Sequence, residues 1–228
     1  MEEVIERRVK LSDQAYDTLR RRIVRGELPP GARLSEPELI EQLGIGRTPL
    51  REAMLLLARE GLIQLLPQSG SFVAPIDIAR VREAQFIREH LECGIIREIA
   101  ATIDRRGLAD LRRLLDQQRD AHEHSDPARF YDLDEDLHAT FCRIAGRPGV
   151  WRVIQGNKLH MDRVRQLSLP IADQIPRLIG QHRVIVAALG DHDQDAAEIA
   201  LRTHLREVFS TIDALQLDHT TKTGRKSP

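Results

Sequence analysis

With 228 residues, 41% hydrophobic and 30% charged, the chain has enough apolar mass for one large domain or two small ones. A net charge of −1 gives it no global basic field, and no apolar run nears the roughly 18 residues of a membrane span. A nucleic-acid partner would therefore have to be met by local charge, and a membrane partner is not expected. The opening MEEVIERRVK lacks the apolar stretch of a signal peptide. Cys93 and Cys142 sit among apolar neighbours without a CxxC motif, so they read as buried, reduced thiols of a cytoplasmic protein.

In chain order, Leu11, Ala15, Leu19 and Ile23 recur every four residues and predict an amphipathic helix that stops at Gly26. ELPPGARL is a breaker-rich loop. Ser35 with Glu38 three residues on predicts a capping box, opening a second helix that buries Leu39, Ile40 and Leu43. Gly44-Ile45-Gly46 makes a tight turn into a third helix packing Leu50, Ala53, Met54 and Leu57, with Gly61 as its C′ residue. LIQLL and SFVAP, joined by Pro67-Gln68-Ser69-Gly70, predict a hairpin. Residues 1–75 are thus expected to form one small domain.

From residue 76 onward the pattern is helical throughout, with six helices expected at 77–103, 107–124, 126–145, 148–169, 173–190 and 193–217. Short connections predict antiparallel neighbours in a bundle spanning 76–217. The polar tail, 218–228, is expected to be disordered. The fold class is therefore mainly α: an N-terminal winged helix-turn-helix and a C-terminal antiparallel all-α bundle.

Helices two and three with their glycine turn form a helix-turn-helix unit, whose second helix enters the major groove by its N-terminal end. That explains why GRTPLREAMLLLAREG puts Arg47, Thr48 and Arg51 at one end. Pro49 fits a first turn, where no backbone N–H is needed. Arg47 and Arg51 are placed to reach phosphates or guanine edges, and Gly70 would let a wing tip approach a groove. Charge supports this only locally: residues 7–33 hold eight basic and three acidic residues, whereas residues 1–75 balance at eleven each.

PPGARLSEPELIEQLGIGRTPLREAMLLLAREGLIQLLPQSGSFVAP resembles the winged-helix domain of the GntR family of bacterial transcription regulators. The resemblance implies DNA contacts from Arg33, Ser35, Glu36, Arg47, Thr48, Arg51 and Gly70. Gly46 departs from it, since a hydroxyl residue is usual there; no side-chain role is assigned to it.

In the helical half, Asp134 and His138 stack on one helix face with Phe130 and Phe141. His182 shares a stripe with Leu178, Ile185 and Leu189, and His204 shares one with Ala197, Ala200, Leu201 and Val208. One such histidine reads as a hydrogen-bonded core residue. Three with a carboxylate form a candidate divalent-metal site, suited first to zinc, with nickel, manganese or iron as alternatives. His160, on a face with Val153, Val164 and Leu167, reads as core, with contact to an effector as the alternative, and Trp151 reads as a packing anchor; His90, His122, His124, His192 and His219 read as solvent-facing. Arg88 and Glu92 form an i,i+4 pair: either a plain salt bridge, or Arg88 grips the carboxylate of an effector.

Region 76–217 is similar to the FCD ligand-sensing domain of FadR-type GntR regulators. FYDLDEDLHATF matches its Asp-x3-His signature, and IGQHRVIVAAL and ALRTHL match its later histidine motifs. The resemblance implies a metal held by Asp134, His138, His182 and His204 beside a small organic acid. The count of six helices points to the VanR-like subgroup. A homodimeric repressor on a pseudo-palindromic double-stranded operator is the expected function. Two alternatives remain: a metal-dependent enzyme carrying a DNA-binding domain, and a bundle that only dimerises. The enzyme is not expected, because no general base pairs up outside the four ligands and no nucleophile motif is present.

Overall fold

The computed structural model describes residues 2–217, with side chains from Lys10 onward. The expected tail and His219 lie outside the described residues. The chain divides into two compact units between Asp77 and Ile78.

The first unit runs α1 (Glu2–Val24), β1 (Arg33–Leu34), α2 (Glu36–Leu43), α3 (Arg47–Arg59), β2 (Ile63–Leu66), β3 (Gly70–Val73). α1 lies against α3. The four-residue stripe explains why: Ala15, Leu19 and Ile23 are buried, as are Leu50, Ala53, Met54 and Leu57 on α3. The Tyr16 hydroxyl donates to Glu60 at 2.6 Å, tying α1 to the end of α3. The α2–α3 turn needs glycine at one position only. Gly44 caps α2 in the left-handed region at φ 63°, whereas Gly46 is extended and N-caps α3.

Two expectations fail here. Ser35 does sit at the N-cap of α2, but its side chain makes no capping bond, so the capping box is not formed. Pro37 removes the N2 backbone N–H as a donor, and the N3 donor of Glu38 is not used by the Ser35 side chain either. The stretch ELPPGARL is also not all loop. Arg33 and Leu34 form β1, pairing antiparallel with Phe72 and Ser71 to give a sheet of order β1-β3-β2. The predicted hairpin is present, with Ile63 opposite Val73 and Leu66 opposite Gly70. Since Leu50 is fully buried, Leu50→Ala is expected to destabilise the protein by about 2–5 kcal/mol. Urea unfolding followed by circular dichroism checks it; a loss below about 1 kcal/mol would mean α3 is not seated by this residue.

The second unit runs α4 (Ile78–Thr102), α5 (Arg105–Glu123), α6 (Pro127–Ile144), α7 (Pro148–Asn157), α8 (Leu159–Ser168), α9 (Gln174–Gly190), α10 (Gln194–Leu205), α11 (Glu207–Ala214). α10 packs on α4 and α9, and α5 on α6 and α9. Asp104, Asp126 and Asp193 cap α5, α6 and α10, each accepting a backbone N–H of the first turn. The core joins Ile96, Ile99, Leu111, Leu137, Phe141 and Leu201. Cys93 and Cys142 are free and buried. Burial pushes their thiols up to about 11 and about 12, which leaves them protonated and unreactive at neutral pH.

Two of the six expected helices are each broken once, at Lys158 and at Arg206, so the subgroup inferred from a count of six loses its basis. Tertiary ion pairs hold both breaks. Lys158 is buried against Glu135 and Asp162 and lies over the rings of Tyr131 and Trp151. Arg206 reaches Glu89 on α4 at 2.8 Å. The break also separates His160 from Val153, which is exposed on α7; the face proposed for His160 is not continuous.

Candidate nucleic-acid interface and metal centre

On the first unit, Arg47, Thr48 and Arg51 all stand exposed on the first two turns of α3. Burial of Pro49 and Leu50 beneath them fixes which side of the helix faces out. Arg51, with 60% of its side chain exposed, gives its Nε to both carboxylate oxygens of Glu36, at 3.2 and 3.1 Å. Glu36 opens α2, so this pair locks the two helices across the turn. Between α3 and the hairpin lies a groove of about 610 Å³, walled by Arg33, Glu36, Arg51, Leu55, Leu66 and Gly70. Arg33 lies beside Gly70: a Cβ there would sit 3.6 Å from Arg33 Nε, and the φ of 108° at Gly70 is one that side chains avoid. Ser35 is half-buried at the α2 cap. Of the seven residues expected at DNA, Arg33, Glu36, Arg51 and Gly70 line this groove, while Arg47 and Thr48 stand exposed at the start of α3.

On the second unit, Asp134 and His138 from α6, His182 from α9 and His204 from α10 meet in the interior. Their ligand atoms all lie within 4.8 Å of one another. His138 Nε2 and His182 Nε2 each stand 3.3 Å from His204 Nε2, and His182 Nε2 is 3.3 Å from Asp134 Oδ1. That spacing is about the edge of a tetrahedron drawn with metal–nitrogen bonds of about 2.0–2.1 Å.

The outer nitrogens decide what the inner ones do. His182 Nδ1 meets Gln118 Oε1 at 2.8 Å, and His204 Nδ1 meets Gln181 Oε1 at 2.9 Å. Both amides are oriented by their other ends: Gln118 donates to the Leu133 carbonyl and Gln181 to Glu207. Their oxygens therefore face the rings, so Nδ1 must carry the proton. His138 Nδ1 likewise donates to Glu92 Oε2. Three Nε2 lone pairs are left converging, which is repulsive until an electrophile enters. Burial holds His138 and His204 below the ordinary imidazole range, the second further depressed by its histidine neighbours. Neutral rings at pH 7 are the state a metal needs. Burial alone would raise Asp134, but the Arg165 guanidinium paired with it keeps the carboxylate well below its usual range. The donor set thus fits a borderline divalent cation.

Beside the cluster is a cavity of about 40 Å³, lined by Arg88, Tyr131, Asp134, Arg165, His204 and Thr211 among others. One water needs about 10–15 Å³ on that scale, so a ligand group fits. Arg88 is buried and its Nε donates to Glu92 Oε1 at 2.6 Å. Its Nη2 is buried without a hydrogen-bond partner among the described residues. The plain salt bridge read from the sequence is present, and a second arm is left over.

The sequence reading missed Gln118, Gln181 and Arg165. Gln118 had a signal: it interrupts the stripe Leu111, Leu114, Leu115, Ala121 on α5, and it is fully buried. Arg165 had none, being 31 residues from Asp134. Trp151 is buried as expected and also stacks on the His138 ring, 6.3 Å between centroids. His90, His122, His124 and His192 are exposed, also as expected.

Comparison with known proteins places these two sites in context. Residues 83–207 match the FCD domain, and residues 11–73 match the family described as bacterial regulatory proteins, gntR family. The chain is 40% identical over 201 residues to an uncharacterized HTH-type transcriptional regulator in an unstable DNA locus of Streptomyces ambofaciens, across 88% of this chain and 84% of that protein. It is 36% identical over 209 residues to the HTH-type transcriptional repressor RspR of Escherichia coli (strain K12), across 92% of each. Among solved structures, E. coli McbR/YncC superimposes with a TM-score of 0.73 at 22% identity, covering 90% of this chain and 98% of that one. At that identity the likeness concerns the fold. No helix among the described residues is long and apolar enough to cross a membrane.

Proposed function

The chain belongs to the gntR family of bacterial regulatory proteins and carries an FCD domain, which makes it a DNA-binding transcription regulator; from that premise we propose that it is a homodimeric repressor sensing a small organic acid at a divalent metal centre. The carrying observation is the buried convergence of Asp134, His138, His182 and His204. Zinc is the first choice of ion. Bound there, the ion would neutralise Asp134 and offer its remaining positions to an oxygen of the acid.

The chain's own residues supply the rest. Gln118, Gln181 and Glu92 hold the three rings with Nε2 inward. Arg165 holds one oxygen of Asp134. Arg88 lines the cavity and has a buried Nη2 without a partner among the described residues, which a carboxylate bound there would relieve with a charge-assisted bond. The cavity is lined from α4, α6, α8, α9, α10 and α11, so an acid binding there bears on several helices at once. Binding that favours one arrangement of the two DNA-reading units lowers operator affinity, and by linkage DNA lowers acid affinity to the same degree, typically about 1–3 kcal/mol. The repressor assignment draws on the relative that bears that name.

Elemental analysis of the purified protein tests the metal: about one zinc per chain is expected, and none after zinc reconstitution would end the proposal. Arg88→Lys tests the clamp. It keeps a cation for Glu92 and removes the second arm, so acid affinity measured by calorimetry is expected to fall roughly 10-fold or more. Unchanged affinity for the same acid would take Arg88 out of the effector site.

A further inference from the structure

Of the three outer groups that hold the histidine rings, two are neutral amides and one is a carboxylate. That carboxylate, Glu92, is fully buried and uses both oxygens: Oε2 accepts from His138 Nδ1, and Oε1 accepts from Arg88 Nε at 2.6 Å. We infer that Glu92 is a positioning residue that fixes His138 as an Nδ1–H tautomer with its donor atom on the metal, and that fixes Arg88 with its Nη2 arm free. The inference rests on the metal-sensing reading above and adds to it a single residue through which the metal ligand and the acid clamp are held together.

The chemistry of the carboxylate explains why no neutral group serves. Two donors, an imidazole N–H and a guanidinium N–H, approach it from different helices, α6 and α4. A carboxylate has acceptor sites for both; an amide has one acceptor oxygen and turns an N–H toward the other donor. An anion on the far nitrogen also strengthens the near nitrogen as a ligand, and loss of such a partner typically lowers metal affinity about 10- to 100-fold. Trp151 lies parallel to the His138 ring at 6.3 Å between centroids, while Glu92 holds the Nδ1 edge of that ring.

The test compares wild type with Glu92→Gln as full-length proteins, using zinc alone as the probe. Zinc affinity is read by competition with a chelator, and the His138 tautomer is read from imidazole 15N shifts in metal-free protein. The expected result is about a 10- to 100-fold loss of zinc affinity in Glu92→Gln, with His138 moving to an Nε2–H or mixed tautomer. Equal zinc affinity with an unchanged tautomer would overturn the inference and leave the metal-sensing reading standing. Wild type that takes up no zinc would overturn that reading, while the metal-free tautomer still tests the role of Glu92. Should Glu92→Gln fail to fold, wild type alone decides: a His138 proton on Nε2 in metal-free protein refutes the inference.

Discussion

Replacing His182 with alanine is expected to lower zinc affinity by more than about 100-fold, a larger loss than an outer partner costs. His182 sits between two other members of the cluster: its Nε2 is 3.3 Å from both His204 Nε2 and Asp134 Oδ1. Two opposing effects act on the metal-free fold. The variant leaves Gln118 Oε1 without its donor and a hole where a fully buried ring stood. It also removes one of three converging lone pairs. Measured stability without metal mixes these, so the decisive quantity is the gain on adding zinc. At a zinc concentration 1,000 times the wild-type Kd, wild type gains about 4.1 kcal/mol. A variant binding 100-fold more weakly gains only about 1.4 kcal/mol under the same condition. Thermal or urea unfolding with and without zinc reads that difference. Equal gains in the two proteins would show that His182 is not a ligand.

The parts of the chain that could be read from sequence are those whose structure is set by near neighbours. Leu11 to Ile23, the Gly44 turn and the Leu66–Gly70 tip are fixed by period and by punctuating residues, and they stand where the pattern puts them. β1 was missed because two residues carry no alternation; only its partner β3, almost forty residues on, makes Arg33 and Leu34 a strand. The breaks at Lys158 and Arg206 were missed for a related reason. Neither position is a proline or glycine, and what holds each break is a carboxylate from another helix, Glu135 and Glu89. At the metal cluster, polar residues interrupting apolar stripes were visible as anomalies on each helix separately. The proton positions that turn three histidines into three inward donors depend on Glu92, Gln118 and Gln181, and two of these lie 46 and 64 residues from their rings. A local pattern holds no record of such a pairing.

Arg51→Ala is expected to weaken binding of an operator duplex by about 1–3 kcal/mol per half-site, roughly 5- to 150-fold, and to relax preference for one base pair in that half-site. In the proposed dimer the loss applies twice. The reason lies in how Arg51 is held. Glu36 takes its Nε through both carboxylate oxygens, which leaves the two Nη groups outside that pair on a side chain that is 60% exposed. A guanidinium steadied on one edge presents the other as a planar fork, the shape that matches guanine O6 and N7. Glu36 itself, an anion, would repel a phosphate, so its expected place at DNA is through Arg51. Arg47 differs: it stands exposed in the first turn of α3 with no such carboxylate partner among the described residues, close to the helix dipole's positive end, where a phosphate is favoured. The two arginines should therefore fail differently. Arg47→Ala should reduce the slope of log affinity against log salt by about 0.9 per site, with little change in base preference. Arg51→Ala should flatten base preference and leave the slope nearly alone. Fluorescence anisotropy across a salt series, on wild-type and single-base-variant duplexes, separates the outcomes. If Arg51→Ala lowers affinity equally on every duplex and takes the salt slope with it, Arg51 is a phosphate contact and base readout must come from elsewhere on α3 or the hairpin.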